Sequence, residues 1–248
     1  MVRDEVSRRR AIRLQRLVLG LTRHWLKGLI LFFGLYVGLP FLAPTLMHLG
    51  ATGPAQVIYA MYSPMCHQFA FRSWFLYGEQ PVYPRAAAGV DGLTPFEVYA
   101  RQDPTFADMP DLTAWAADLQ LLSRSFIGNP RMGYKVALCE RDVAIYGALF
   151  VAALLFARVR DRLRPAPLWL YLMLGLVPIG LDGFSQLLSA PPISLWPVRE
   201  STPLLRTVTG ALFGFMNAWL ALPYLEEAMR ETRAEVEAKL RSVGELEG

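Results

Sequence analysis

The chemistry available to this 248-residue chain rests on few side chains. Cys66 and His67 are adjacent, and Cys139 and Asp142 have the x-x spacing of a metal half-site. Thiolate, imidazole and carboxylate together make a zinc-compatible donor set. Two rivals stand beside that reading. Cys66 and Cys139 could form a disulfide if both face an oxidising compartment, or both could be packed free thiols. Two cysteines alone are a weak metal signal. Asp182 and Gln186 lie one helical turn apart on one face, as do Asp142 and Tyr146. Ionisable groups inside an apolar helix are costly, so they face the bundle interior and pair. Arg206, close to the same depth, is the expected partner of Asp182. The pair is either a structural tie that sets helix register or part of a functional site. In a functional site, Asp182, Gln186, Arg72 and Arg206 are the candidate catalytic residues. Arg72 and Arg206 would hold an anion, Asp142 or Asp182 would act as base, and a metal or His67 would activate a nucleophile. His24 and His48 read as interfacial side chains, and no phosphate loop, G-x-S-x-G or H-E-x-x-H pattern occurs.

The elements that must position these groups are apolar. The sequence is 54% hydrophobic, and these residues fall into runs of roughly twenty, enough to cross the hydrocarbon core as helices. The spacing predicts an all-α, polytopic membrane helix bundle, with spans over 25–47, 142–157, 168–188 and 204–225. Residues 1–24 form a basic segment whose Leu14, Leu17, Val18 and Leu21 fit an interfacial helix or a plain topology signal. No small-x-small cleavage site follows, so the first span reads as a retained signal anchor. Residues 55–80 are too polar for lipid and read as a helical hairpin, re-entrant or lying at the outer surface, with Ser63 capping a helix that starts at Pro64 and a fifth crossing as the rival.

Residues 81–138 form a polar insertion. Within it, Thr94 to Glu97 fits a capping box, and Leu112, Trp115, Leu119, Leu122 and Phe126 form a stripe that Gly128 would end. Two G-x-x-x-G pairs, Gly34/Gly38 and Gly210/Gly214, invite close helix approach. The tail, 226–248, reads as a charged, solvated helix with Glu235/Lys239 and Glu237/Arg241 pairs.

The net charge of +4 would suit nucleic acid in a soluble protein, but here the basic residues cluster beside apolar runs, which excludes that class. The basic N-terminus, the Arg158–Arg164 turn and the tail belong inside, and the insertion and the 189–203 loop outside. This places both termini in the cytoplasm, expected in a bacterial inner membrane. It also gathers Cys66, His67, Arg72, Cys139, Asp142, Asp182, Gln186, Arg199 and Arg206 at the outer face.

Several of these residues sit in patterns that resemble an uncharacterised "domain of unknown function" family of bacterial membrane proteins. Cys66-His67-Gln68 is followed by Arg72-Ser73 and Tyr77-Gly78-Glu79-Gln80-Pro81. The family's C-x-R-C-x-G-I-Y stretch reads Cys139 to Tyr146 here, its D-G-x-x-Q matches Asp182 to Gln186, and its R-x-x-T-G matches Arg206 to Gly210. The resemblance runs from Ser63 to Phe215. It implies a multi-span membrane fold and names no activity or substrate. Asp142 replaces the family's last cysteine, which turns a Cys-rich set into a mixed one, and the insertion separates motifs that are otherwise nearly contiguous.

Three function classes follow. The leading one is a non-catalytic subunit or scaffold of a membrane complex, docking partners through 81–138 or the C-terminal helix, with a metal- or disulfide-stapled outer cluster. The second is a metal-assisted hydrolase or transferase acting on lipid-like substrates at the outer face. The third is a transporter, opposed by the lack of an inverted repeat and by polar residues at one face instead of the midplane.

Overall fold

Four helices are long and apolar enough to cross a membrane: Glu5–His48, Glu140–Val159, Leu168–Ser189 and Pro203–Ser242. They belong to a computed structural model that describes residues 2–245, with side chains from Glu5 onward. Met1 and residues 246–248, the extremes of the two terminal segments, lie outside the described residues. The first helix, α1 (Val2–His48), has 47 residues and is about 70 Å long, more than twice the hydrocarbon core. The basic segment is therefore the continuation of the first span, not a separate interfacial helix.

α2 (Thr52–Tyr62) has 11 residues, too short to cross, and packs on the far end of α1 through Ala43, Ala55, Ile58 and Tyr62. The helical-hairpin expectation for 55–80 holds only in its first arm. Ser63 caps the C-terminus of α2 instead of starting a helix, and the second arm is strand β1 (Ser73–Leu76). Gln68 turns the chain between them with φ at +52°, and its buried amide donates to Tyr59 O and Ala137 O.

The insertion folds as a small α/β domain. It contains α3 (Phe96–Ala100), α4 (Ala117–Ser125), β2 (Gly128–Asn129) and β3 (Gly133–Cys139), with antiparallel strand order β1-β3-β2. The sheet escaped the sequence reading because β1 and β2 are too short to show alternation. The apolar stripe packs into the domain's own core, where Leu112, Leu119 and Phe126 join Phe71, Phe96 and Phe106. Thr94 does not cap α3: Glu97 instead pairs with buried Arg85 and accepts from Ala86 N–H. Gly128 lies in β2 and does not end α4, which stops at Phe126.

Strand β3 runs into α5 (Glu140–Val159) with no linker. The third span begins as α6 (Leu168–Leu170), widens to π-helix over Tyr171–Leu176 and resumes as α7 (Val177–Ser189). Pro178 explains the widening: it has no N–H to donate one turn back, and its ring crowds that turn. α8 (Pro203–Ser242) contains the fourth span and the tail in one helix. Its tail is not simply solvated. Val236 and Leu240 bury against Leu19 of α1, and Arg23 bonds Glu237 at 2.8 Å, so α1 and α8 form a two-helix stalk. The arginine turn is tied to the same end, because Arg160 and Arg230 both reach Glu226.

α5 packs along α8 through the second glycine pair. A Cβ at Gly214 would lie 2.2 Å from Ile145 O, and one at Gly210 would lie 2.8 Å from Arg141 O. The first pair is half used: Gly34 faces the Phe150 ring, whereas a Cβ at Gly38 would meet nothing within 4 Å. Gly214→Val is expected to cost about 3 kcal/mol by overpacking, and Gly38→Val to stay within about 0.5 kcal/mol. Thermal unfolding of both variants in detergent checks this; equal stabilities would refute a backbone-to-backbone α5–α8 contact.

Candidate functional site

The direct passage from β3 to α5 places Cys139, the last strand residue, one position before Glu140, the first helical one. Ser73 of β1 pairs in register with Cys139, which lays the Cys66–Arg72 segment against the start of α5. The N-terminus of α8 and the end of α7 complete the surround. A chamber of about 420 Å³ results, walled by Cys66, His67, Arg72, Cys139, Arg141, Asp142 and Arg206 among others.

Cys66, Cys139 and Asp142 come together with one ligand atom each, all within 4.8 Å of one another. His67 lines the chamber but is not part of that group; its ring sits beside Phe69, 5.4 Å away. Cys66 is not in the first turn of a helix. It lies in an irregular segment, and its Sγ accepts from Cys139 N–H at 3.3 Å and Gln68 N–H at 3.5 Å. No disulfide joins the two cysteines here, and both are free thiols. A hydrogen bond with Cys66, and then burial, raise the Cys139 thiol well above the ordinary cysteine range.

The acids and guanidiniums pair differently from the sequence expectation. Asp182 does not pair with Arg206. Its buried carboxylate takes Arg141, Arg199 at 3.1 Å, Ser201 Oγ at 2.9 Å and the Gln186 amide at 3.4 Å. Arg206 instead binds Glu200 and Glu140, with Gln186 Oε1 at 3.3 Å. Arg72 grips Glu200 with two bonds, at 2.7 and 3.0 Å, and lies over the Trp115 ring. Glu140 and Glu200, both buried, were missed as site residues. Glu140 has a local signal, an acid in the first turn of an apolar helix, whereas Glu200 lies in a loop with none.

The layering of charge sets what the chamber can do. Arg72, Arg141 and Arg206 line it, while Glu140, Asp182 and Glu200 stand behind them; among the described residues Asp142 is the one carboxylate on the wall. The wall is thus cationic, its guanidiniums held in place from behind. Buried Arg141 Nε and Glu140 Oε1 find no partner among the described residues. The Asp182 carboxylate takes all four of its donors from α5, α7 and the 199–201 loop. Beneath the chamber, buried Lys135 donates to Gln68 O, Ser123 O and Arg124 O, and burial pushes its pKa down to about 7. It holds the Gln68 turn that carries Cys66 and His67.

Residues 119–220 match the model of a family described as "Predicted membrane protein (DUF2085)". An uncharacterised protein of the archaeon Methanocaldococcus jannaschii, MJ1492, is 24% identical over 212 residues, covering 83% of this chain and 94% of that protein. No solved structure matches. The family match takes in Cys139 to Asp142, Asp182, Gln186, Glu200 and Arg206, but not Cys66 to Arg72.

Burial pushes the Glu200 carboxyl up, but Arg72 and then Arg206 outweigh it and hold the pKa below the usual glutamate value. A carboxyl depressed on folding contributes stability that is present above its unfolded pKa and lost as pH falls through the folded one. Glu200→Gln, which removes the carboxylate of Arg72 and leaves Arg206 with Glu140 as its acid, is expected to cost about 3 kcal/mol at neutral pH. It should also flatten the acid limb of the stability curve, read by thermal unfolding from pH 7 down to 3. An unchanged acid limb would show that the carboxylate is not the tie.

Proposed function

We propose, from the premise that the chain belongs to an uncharacterised family of predicted membrane proteins, that it carries out metal-assisted hydrolysis or group transfer on an anionic, lipid-like substrate at the outer face of a cytoplasmic membrane. The observation that carries the reading is the three-donor group of Cys66, Cys139 and Asp142 inside a chamber also walled by Arg72, Arg141 and Arg206. Two sulfurs and a carboxylate oxygen suit zinc, and three protein ligands leave a fourth position for water or a substrate oxygen. Bound there, the ion would supply Lewis-acid activation.

The chain's own residues do the rest. The guanidiniums take the substrate's anionic group with charge-assisted bonds. Asp182 fixes Arg141 and Arg199, and Glu200 fixes Arg72 and Arg206, so the wall is set before substrate arrives. His67 is exposed on the chamber wall beside Cys66. The chamber is at the end of the bundle opposite the Arg158–Arg164 turn and the basic start of α1. The excess of Arg and Lys at that other end supports a cytoplasmic location for both termini.

A second reading keeps the same residues as a structural staple in a non-catalytic subunit that docks partners through 81–138 or the α8 tail. It is favoured by Asp182, whose four donors use it wholly as a joint between α5, α7 and the 199–201 loop.

Elemental mass spectrometry on the full chain, purified without added metal, is expected to give close to one zinc per chain, lost in Cys66→Ser and Cys139→Ser. Inorganic phosphate should bind the zinc-loaded protein, measured calorimetrically, with at least tenfold weaker affinity in Arg141→Gln. Zinc without phosphate binding would leave the staple reading standing. No zinc, even after reconstitution, would overturn the metal reading.

A further inference from the structure

A second cavity lies one turn of α5 further into the bundle than the polar chamber. α1, α5 and α8 leave a groove of about 360 Å³, lined by Leu29, Phe33, Tyr146, Leu149, Phe213 and Ala221 among others. These residues belong to the apolar stretches of three spans, so the groove lies at hydrocarbon depth. Asp142 walls the chamber, and Tyr146, one turn further along α5, walls the groove. Between them stands an aromatic seam. The Tyr36 hydroxyl donates to Met65 Sδ at 3.4 Å, Met65 walls the chamber, and the Tyr36 ring meets Tyr146 edge-on at 4.5 Å. A cationic compartment at the bundle end thus sits above an apolar one in the membrane.

A free anion would fill only the first compartment, and a neighbouring apolar helix only the second. We infer that the chamber's ligand is a membrane lipid with a phosphate-bearing, anionic head group, whose acyl chain lies in the groove between α1 and α8. This deepens the anion-binding reading above and rests on it. Arg72, Arg141 and Arg206 take the head group; Phe33, Leu149 and Phe213 take the chain. Tyr36 and Tyr146 stand at the ester level, where amphipathic rings favour the polar–apolar boundary. The groove is open along α8, since Ala221 is exposed, so a chain can enter sideways from the bilayer.

The test is native mass spectrometry of the full chain with three probes: lysophosphatidylglycerol, lysophosphatidylcholine of the same chain length, and glycerol phosphate. Lysophosphatidylglycerol is expected to be retained at least tenfold better than either of the others. Ala221→Trp fills the groove from an exposed position, away from the chamber. It should bring lysophosphatidylglycerol down to the level of glycerol phosphate and leave glycerol phosphate unchanged. Leu29→Trp, from the opposite wall, should do the same if the first variant folds poorly. Retention that neither filling variant alters, or equal retention of the zwitterionic lipid, would overturn the lipid assignment while leaving the anion site intact. Retention of none of the three probes would overturn the anion reading and this inference together.

Discussion

Arg206 is buried, and the arrangement around the chamber follows from how its charge is met. A guanidinium in such a place must be paired and hydrogen-bonded, or it costs several kcal/mol. Glu140 at the start of α5 and Glu200 in the loop before α8 meet it together. Glu200 also takes Arg72, which belongs to the inserted domain. One chain of charges therefore joins a helix, a loop, a second helix and a separately cored domain. Because the attraction is strong only where the dielectric is low, the junction is rigid while closed and fails as a unit if one member is removed.

That rigidity is what makes the facing wall usable. Guanidiniums tied from behind have already lost their side-chain freedom, so the proposed anion would cost little further ordering. The thiols are placed by a different device, the unbroken run of β3 into α5, which makes Cys139 the hinge between sheet and bundle. Cys66 reaches it only because Gln68 accepts a left-handed backbone and Lys135 ties down the resulting turn. A strained residue held by buried polar bonds is a common price for a side-chain placement that regular structure cannot supply.

The two ends of the molecule differ in kind. At the chamber end, β3 of the inserted domain packs along α1, and a groove lies between α1 and α8 beside α5. At the other end they close on each other through Leu19, Val236 and Leu240 and extend past the membrane as a stalk. The close α5–α8 approach at Gly210 and Gly214 sets their spacing near the chamber. Since α1 does not share that glycine contact, a groove remains between α1 and α8.

The amino-acid sequence by itself determined the parts that depend on local composition. The four spans, the ends that carry the arginines, the stripe from Leu112 to Phe126 and the gathering of polar motifs at one end all follow from runs, charges and three-four spacing. Those signals are read within one or two turns of chain, and α5 and α8 appear where the apolar runs place them. Only the tertiary structure decided the partners. Asp182 and Arg206 were equally plausible mates by depth, yet the loop through Arg199, Glu200 and Ser201 brings other groups closer to each. Glu200 lies in no periodic segment, and β1 and β2 are too short to register an alternation. The nearness of Cys66 to Cys139 comes from strand pairing across most of the inserted domain. Which charge meets which across such distances depends on chain closure and packing, and no local pattern encodes it.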